Sequence, residues 1–122
     1  MIVGLDHVQL AIPKGGEPAA REFYVTTLGF EEVEKPEALR SRGGCWFKKN
    51  DAVLHLGVEE PFTPARKAHP AFRVHDIDGF RTKLEDGNVE ILDDTSLAHV
   101  KRFFIFDPFG NRIEFLREGD KY

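Results

Sequence analysis

A chain of 122 residues is the size of one ordinary domain and can bury about two thirds of the surface its unfolded form exposes, so a stable core needs no staples. With 41% hydrophobic and 31% charged residues, and eleven Phe against one Trp and two Tyr, the composition is that of a globular protein and not of a disordered one. A formal charge of −4, with Lys and Arg scattered among acids, offers no basic stripe for nucleic acid; no apolar run suits a membrane, and the single Cys45 excludes an intramolecular disulfide. We therefore expect a cytoplasmic protein without nucleic-acid or membrane partners.

In chain order, Leu5-Asp6-His7-Val8-Gln9-Leu10-Ala11-Ile12 reads as a first strand. Pro18 then suits a first helical turn, Ala20, Phe23, Tyr24 and Leu28 form an apolar stripe, and Gly29 suits the helix stop. Three strands are predicted next, over residues of about 30–35, 44–49 and 52–58. Cys45, beside Trp46, reads as a buried small apolar residue and not as a nucleophile.

The second half repeats the first. Lys67-Ala68-His69-Pro70-Ala71-Phe72-Arg73-Val74 answers the opening strand. Asp76 can cap a helix whose stripe is Ile77, Phe80 and Leu84, with Gly87 closing it. Strands over residues of about 89–93, 101–106 and 111–117 follow. The last hairpins align without a gap, Phe47 to Leu56 over Phe106 to Phe115, which puts His55 on Glu114. The expected fold is therefore α+β: two tandem βαβββ modules forming a curved mixed sheet, a half-barrel or barrel cup. Module 1 covers about 1–59 and module 2 about 67–122, with a proline-bearing link of about 60–66 that is too short to divide residues 1–122 into two domains.

Side chains alternate across a strand, so each strand's two faces follow from parity. Val8, Leu10 and Ile12 oppose His7 and Gln9; Leu54, Leu56 and Val58 oppose His55; Phe72 and Val74 oppose His69 and Arg73; Ile113 and Phe115 oppose Arg112 and Glu114. If the sheets curl toward each other, the polar set converges. Two His and one carboxylate suit a first-row divalent ion and leave positions open for substrate oxygens. The expected ligands are His7, His69 and Glu114, with His55 as a fourth ligand or a proton-transfer residue. Arg73 and Arg112 either neutralise an anionic substrate or pair with a carboxylate on a neighbouring strand. His75 and His99 lie off this face or in a loop. The turn Asp107-Pro108-Phe109-Gly110-Asn111 aims Glu114, with Pro fixing φ and Gly and Asn tolerating positive φ.

These residues resemble the vicinal-oxygen-chelate superfamily, which includes glyoxalase I, fosfomycin-resistance thiol transferases, extradiol dioxygenases and bleomycin-resistance proteins. The resemblance rests on Gly4-Leu5-Asp6-His7-Val8, on Phe23-Tyr24 through Leu28-Gly29-Phe30, on His69, and on Asp107-Pro108-Phe109-Gly110-Asn111-Arg112-Ile113-Glu114. It implies one divalent ion (Mn, Fe, Zn, Ni or Co) that chelates two neighbouring oxygens of a small substrate, and catalysis involving Glu114 and His55. The trio is similar to the ligand pattern of fosfomycin-resistance enzymes and of the catalytic half of extradiol dioxygenases, whereas glyoxalase I typically has Glu where His55 stands. A metal-free, ligand-sequestering protein of the bleomycin-resistance type is the alternative. The resemblance also implies a homodimer, because two-module members commonly build the cup from paired halves.

Overall fold

The computed structural model describes all 122 residues and divides into two compact units, Met1–Ala65 and Arg66–Tyr122. Each unit is a βαβββ module built on a four-stranded mixed sheet.

In the first unit β1 is Val8–Ile12, β2 Glu31–Val33, β3 Cys45–Lys49 and β4 Ala52–Val58, ordered β1-β4-β3-β2. The predicted first strand begins later than residue 5, since residues 1–7 pair with no neighbouring strand. The helix α1, Glu17–Arg21, carries Pro18 in its first turn and passes directly into a wider π-helical stretch over Glu22–Thr27. Apolar periodicity at 3.6 residues per turn does not foretell this widening. Gly29 ends the helix at φ +89°, where Phe30 N–H reaches back to Tyr24 O and Gly29 N–H to Val25 O. A short 3₁₀ segment, Glu37–Arg42, precedes β3 and has no counterpart in the sequence reading.

The core of this unit lies where parity puts it. Leu10, Ile12, Cys45, Phe47, Leu54 and Leu56 are buried, and Tyr24 from the helix stacks on Phe47 with ring centroids 5.5 Å apart. Each fully buried large side chain of this kind contributes about 1.5–3 kcal/mol.

In the second unit β5 is Ala71–Val74, α2 Ile77–Asp86, β6 Leu92–Asp93, β7 Arg102–Phe106 and β8 Arg112–Arg117, with sheet order β5-β8-β7-β6. Asp76 caps α2 by accepting from Gly79 N–H at 3.0 Å. The left-handed residue beyond the helix is Asn88, at φ +62°, and not Gly87, which has φ −85°. Asparagine tolerates that conformation because its side chain is short and polar. Phe80 of α2 packs edge-on against Phe115 of β8, the centroids 4.9 Å apart.

The two sheets repeat each other in order and in the register of their parallel pairs, whereas the ungapped hairpin match does not hold. Trp46 faces His55, but Glu114 faces Phe104 and not Ile105, so β7 is shifted by one residue because the five-residue turn 107–111 replaces the two-residue turn 50–51. In the first sheet, β1 and β4 run parallel with Gln9 opposite His55; in the second, β5 and β8 run parallel with Ala71 opposite Glu114. Gln9 and Ala71 each stand two residues beyond the aligned His7 and His69. His55 and Glu114 therefore occupy equivalent places in the two modules.

Candidate metal and substrate site

The parallel registers explain which side chains meet. His7 precedes Gln9 by two residues and shares its face, so it lies next to His55; by the same step His69 lies next to Glu114. Within the first unit the His7 and His55 rings stack with centroids 4.0 Å apart, and His55 lies flat on Trp46 at 3.7 Å with an interplanar angle of 2°. Trp46 is the cross-strand neighbour of His55 between β3 and β4. His55 is thus the middle ring of a three-ring stack, and burial, then the neighbouring His7, hold its pKa below the ordinary value of 6.5.

Within the second unit His69 Nε2 lies 3.0 Å from Glu114 Oε1, and the Glu114 side chain is only 3% exposed. Tyr122 donates its hydroxyl hydrogen to Glu114 Oε2, and Arg102 Nη1 stands 3.7 Å from the same oxygen. Arg102 also donates to Tyr122 and, at 2.9 Å, to Asp94. The turn behind Glu114 is fixed by Asp107. Its Oδ1 accepts from Phe109 N–H and Asn111 N–H at 2.9 and 2.8 Å, and its Oδ2 accepts from the fully buried Asn111 amide at 3.0 Å. The positive φ at this turn belongs to Gly110, at +95°, so Asn111 serves as a buried hydrogen-bonding brace and not as a left-handed residue.

The His69–Glu114 pair has donor types that suit a divalent ion, although two side chains are not a complete ligand set. A backbone carbonyl can only accept, so the 2.8 Å contact of His69 Nδ1 with Lys67 O places a proton on Nδ1 and turns Nε2 to the Glu114 carboxylate, where either a second ring proton or a cation would lie between them. Two acceptors 3.0 Å apart need a cation or a proton between them. Ligands at about 2.0–2.2 Å from one ion, roughly at right angles, have that separation. His7 likewise has Nδ1 on an oxygen acceptor, Asp6 Oδ1, at 2.8 Å.

The structure brings the expected residues together as two pairs, His7 with His55 in the first unit and His69 with Glu114 in the second. Within the chain no three His, Cys, Asp or Glu side chains gather into a set that could hold an ion. Neither Arg73 nor Arg112 pairs with a neighbouring carboxylate, the second of the two roles expected for them, because the arginines in ion pairs are Arg21, Arg40, Arg81, Arg102 and Arg117. His75 is an exposed partner of Glu118. Cys45 is buried, and burial pushes its thiol up to about 11.

Sequence reasoning missed Trp46, Phe104, Arg102 and Tyr122. For Trp46 the signal was present: pairing the β3–β4 hairpin sets it opposite His55. For Tyr122 no local signal exists, since its contact with Glu114 depends on how the chain turns after β8.

The sequence model of the glyoxalase, bleomycin resistance protein and dioxygenase superfamily matches residues 4–115. In structure the chain is similar to a glyoxalase family protein from Bacillus anthracis, at 51% identity and a TM-score of 0.95, with 99% of this chain and 98% of that chain covered. It is also similar to FosX, a genomically encoded fosfomycin resistance protein from Listeria monocytogenes, at 15% identity and a TM-score of 0.75, covering 96% and 94%. TnmS3, an antibiotic binding protein from Streptomyces sp. CB03234, matches at 23% identity and a TM-score of 0.72, covering 95% and 98%. At these last two identities the likeness is one of fold. No curated protein matches the sequence. A family match that runs from the arm before β1 into β8 and contains His7, His55, His69 and Glu114 places this chain in the glyoxalase/bleomycin resistance protein/dioxygenase superfamily.

Proposed function

We propose that the protein is a divalent-metal-dependent enzyme acting on a small oxygenated substrate, with His7, His69 and Glu114 as the ligands. The observation that carries this reading is the shared preparation of the two histidines. Each has Nδ1 engaged by an oxygen acceptor, Asp6 for His7 and Lys67 O for His69, which leaves Nε2 as the ligating atom. When bound, such an ion polarises a carbonyl or stabilises an alkoxide or enediolate.

The chain's own residues set up the rest. Tyr122 and Arg102 hold Oε2 of Glu114, which leaves Oε1 to face the ion beside His69. His55, adjacent to His7 on the same face, is assigned proton transfer and not ligation, because its ring is sandwiched between Trp46 and His7 and lacks the oxygen partner that the other two histidines have.

The proposal includes a homodimer that brings a first-module face and a second-module face together. Four apolar side chains before β1, Met1, Ile2, Val3 and Leu5, are exposed, the least of them 81%, and each sheet ends in edge strands that pair on one side only, β1 and β2 in one and β5 and β6 in the other.

Titration calorimetry with Mn, Fe, Co, Ni and Zn tests the metal. Wild type is expected to bind one ion, and His7→Ala, His69→Ala and Glu114→Ala each to weaken binding at least about tenfold while keeping the fold. No binding by wild type would instead favour a metal-free, ligand-sequestering protein, a reading supported by the flat ring stack at Trp46 and by the antibiotic-binding relative of the same fold.

A further inference from the structure

We infer that Arg112 anchors an oxyanion subsite beside His69 and Glu114, and that the substrate carries a carboxylate, phosphonate or phosphate group. This deepens the function proposed above and rests on it for the identity of the site.

Three arginines in the chain are only part-exposed: Arg81, Arg102 and Arg112. Arg81 is matched by Asp93 and Arg102 by Asp94. Arg112 has no carboxylate, and its Nε is sealed from solvent without any hydrogen-bond partner. Arg102 Nε is also unpartnered although two carboxylates face that arginine, so what sets Arg112 apart is a half-buried cation without a counter-charge, which is costly unless something negative answers it.

Its placement says what that something is near. Arg112 and Glu114 are two apart on β8 and share a face, opposite Phe106 and Phe104 of β7. The Arg112 guanidinium carbon lies 4.1 Å over the Phe104 ring, and the same ring meets the His69 imidazole edge-on at 5.3 Å. Phe104 is therefore a common floor for Arg112 and His69. The ring lies against a face of the guanidinium and Nε is sealed from solvent, so the two terminal nitrogens, Nη1 and Nη2, are the pair that would give two parallel hydrogen bonds to an oxyanion. Glu114 does not fill that role: its oxygens are taken by His69 and by Tyr122, with Arg102 beside the second.

The test titrates inorganic phosphate and, separately, acetate into metal-free protein at constant ionic strength, following the arginine Nε–H resonances of ¹⁵N-labelled chain and the calorimetric heat. The Arg112 signal, identified by its loss in Arg112→Gln, should shift saturably with at least one of the two anions. The anion that binds more tightly tells phosphoryl from carboxylate recognition. Arg112→Gln should bind about tenfold or more weakly, the loss expected for a pair of charge-assisted hydrogen bonds, and Arg112→Lys should fall between. Arg42→Gln, at an exposed and unpaired arginine in the 3₁₀ segment, should bind as wild type. If Arg112→Gln does not fold, the wild-type resonance and Arg112→Lys decide the matter. An Arg112 signal that ignores both anions, or equal affinity in wild type and the Arg112 variants, overturns the inference. Because the anions are added without metal, a wild type that binds them but no divalent ion would sink the metal reading and leave this subsite standing.

Discussion

At the scale of single residues, the proposed chemistry rests on how the nitrogens of each histidine are engaged. His7 and His69 have Nδ1 tied to oxygen acceptors, whereas His55 is held by its ring faces. In the function proposed above, this difference separates the ligands from the proton-transfer group, although all three histidines stand on or just before a polar strand face. His55→Gln should leave metal affinity within about twofold of wild type, lower turnover once a substrate is in hand, and alter the emission of Trp46, the chain's one tryptophan, by removing the stacked ring. A fall in metal affinity comparable to that of His7→Ala would make His55 a fourth ligand instead.

At the scale of elements, one long-range tie joins the start of α1 to the entrance of β3. Glu17 Oε2 accepts from Gly44 N–H at 2.9 Å. Gly44 is required there, with φ +82° and with Leu56 O only 2.0 Å from where a Cβ would be, so alanine could not enter without parting β3 from β4. The backbone hydrogen bond from Gly44 lowers the Glu17 carboxyl below its ordinary 4.5. The folded state thus binds this proton less readily than the unfolded chain, so the stabilisation is complete above 4.5 and is lost as pH falls through the folded value. Urea midpoints measured from about pH 6 to about pH 3 should fall more steeply for wild type than for Glu17→Gln, which cannot ionise. Parallel slopes would remove Glu17 from the acid response.

At the scale of the whole molecule, light scattering at micromolar concentration should give about twice the chain mass of 13.9 kDa, and a value near 13.9 kDa would contradict the homodimer. Much of the architecture was legible in the sequence because it repeats. Alternating apolar residues mark the strand faces, and the equivalence of His55 with Glu114 follows from the match of β4 with β8, although the ungapped match fails one strand earlier, where Phe104 and not Ile105 faces Glu114. Those are local patterns, set by the two-residue period of a strand and by turn chemistry, and they fixed the βαβββ units and put His7, His55, His69 and Glu114 on the polar faces. Where the strands begin was less legible, since β1 starts at Val8 only because pairing with β4 starts there. The π-helical widening of the first helix and the left-handed conformation of Asn88, just past the closing Gly87, likewise depend on how the helices are seated and ended. Only the tertiary structure decided that Trp46 floors His55, that Tyr122 and Arg102 hold Glu114, and that Arg112 stands over Phe104 without a counter-ion. The physical reason is that a face is determined by residue spacing along one strand, whereas a partner is determined by strands and turns far apart in the chain, whose side chains meet only once the sheet has formed.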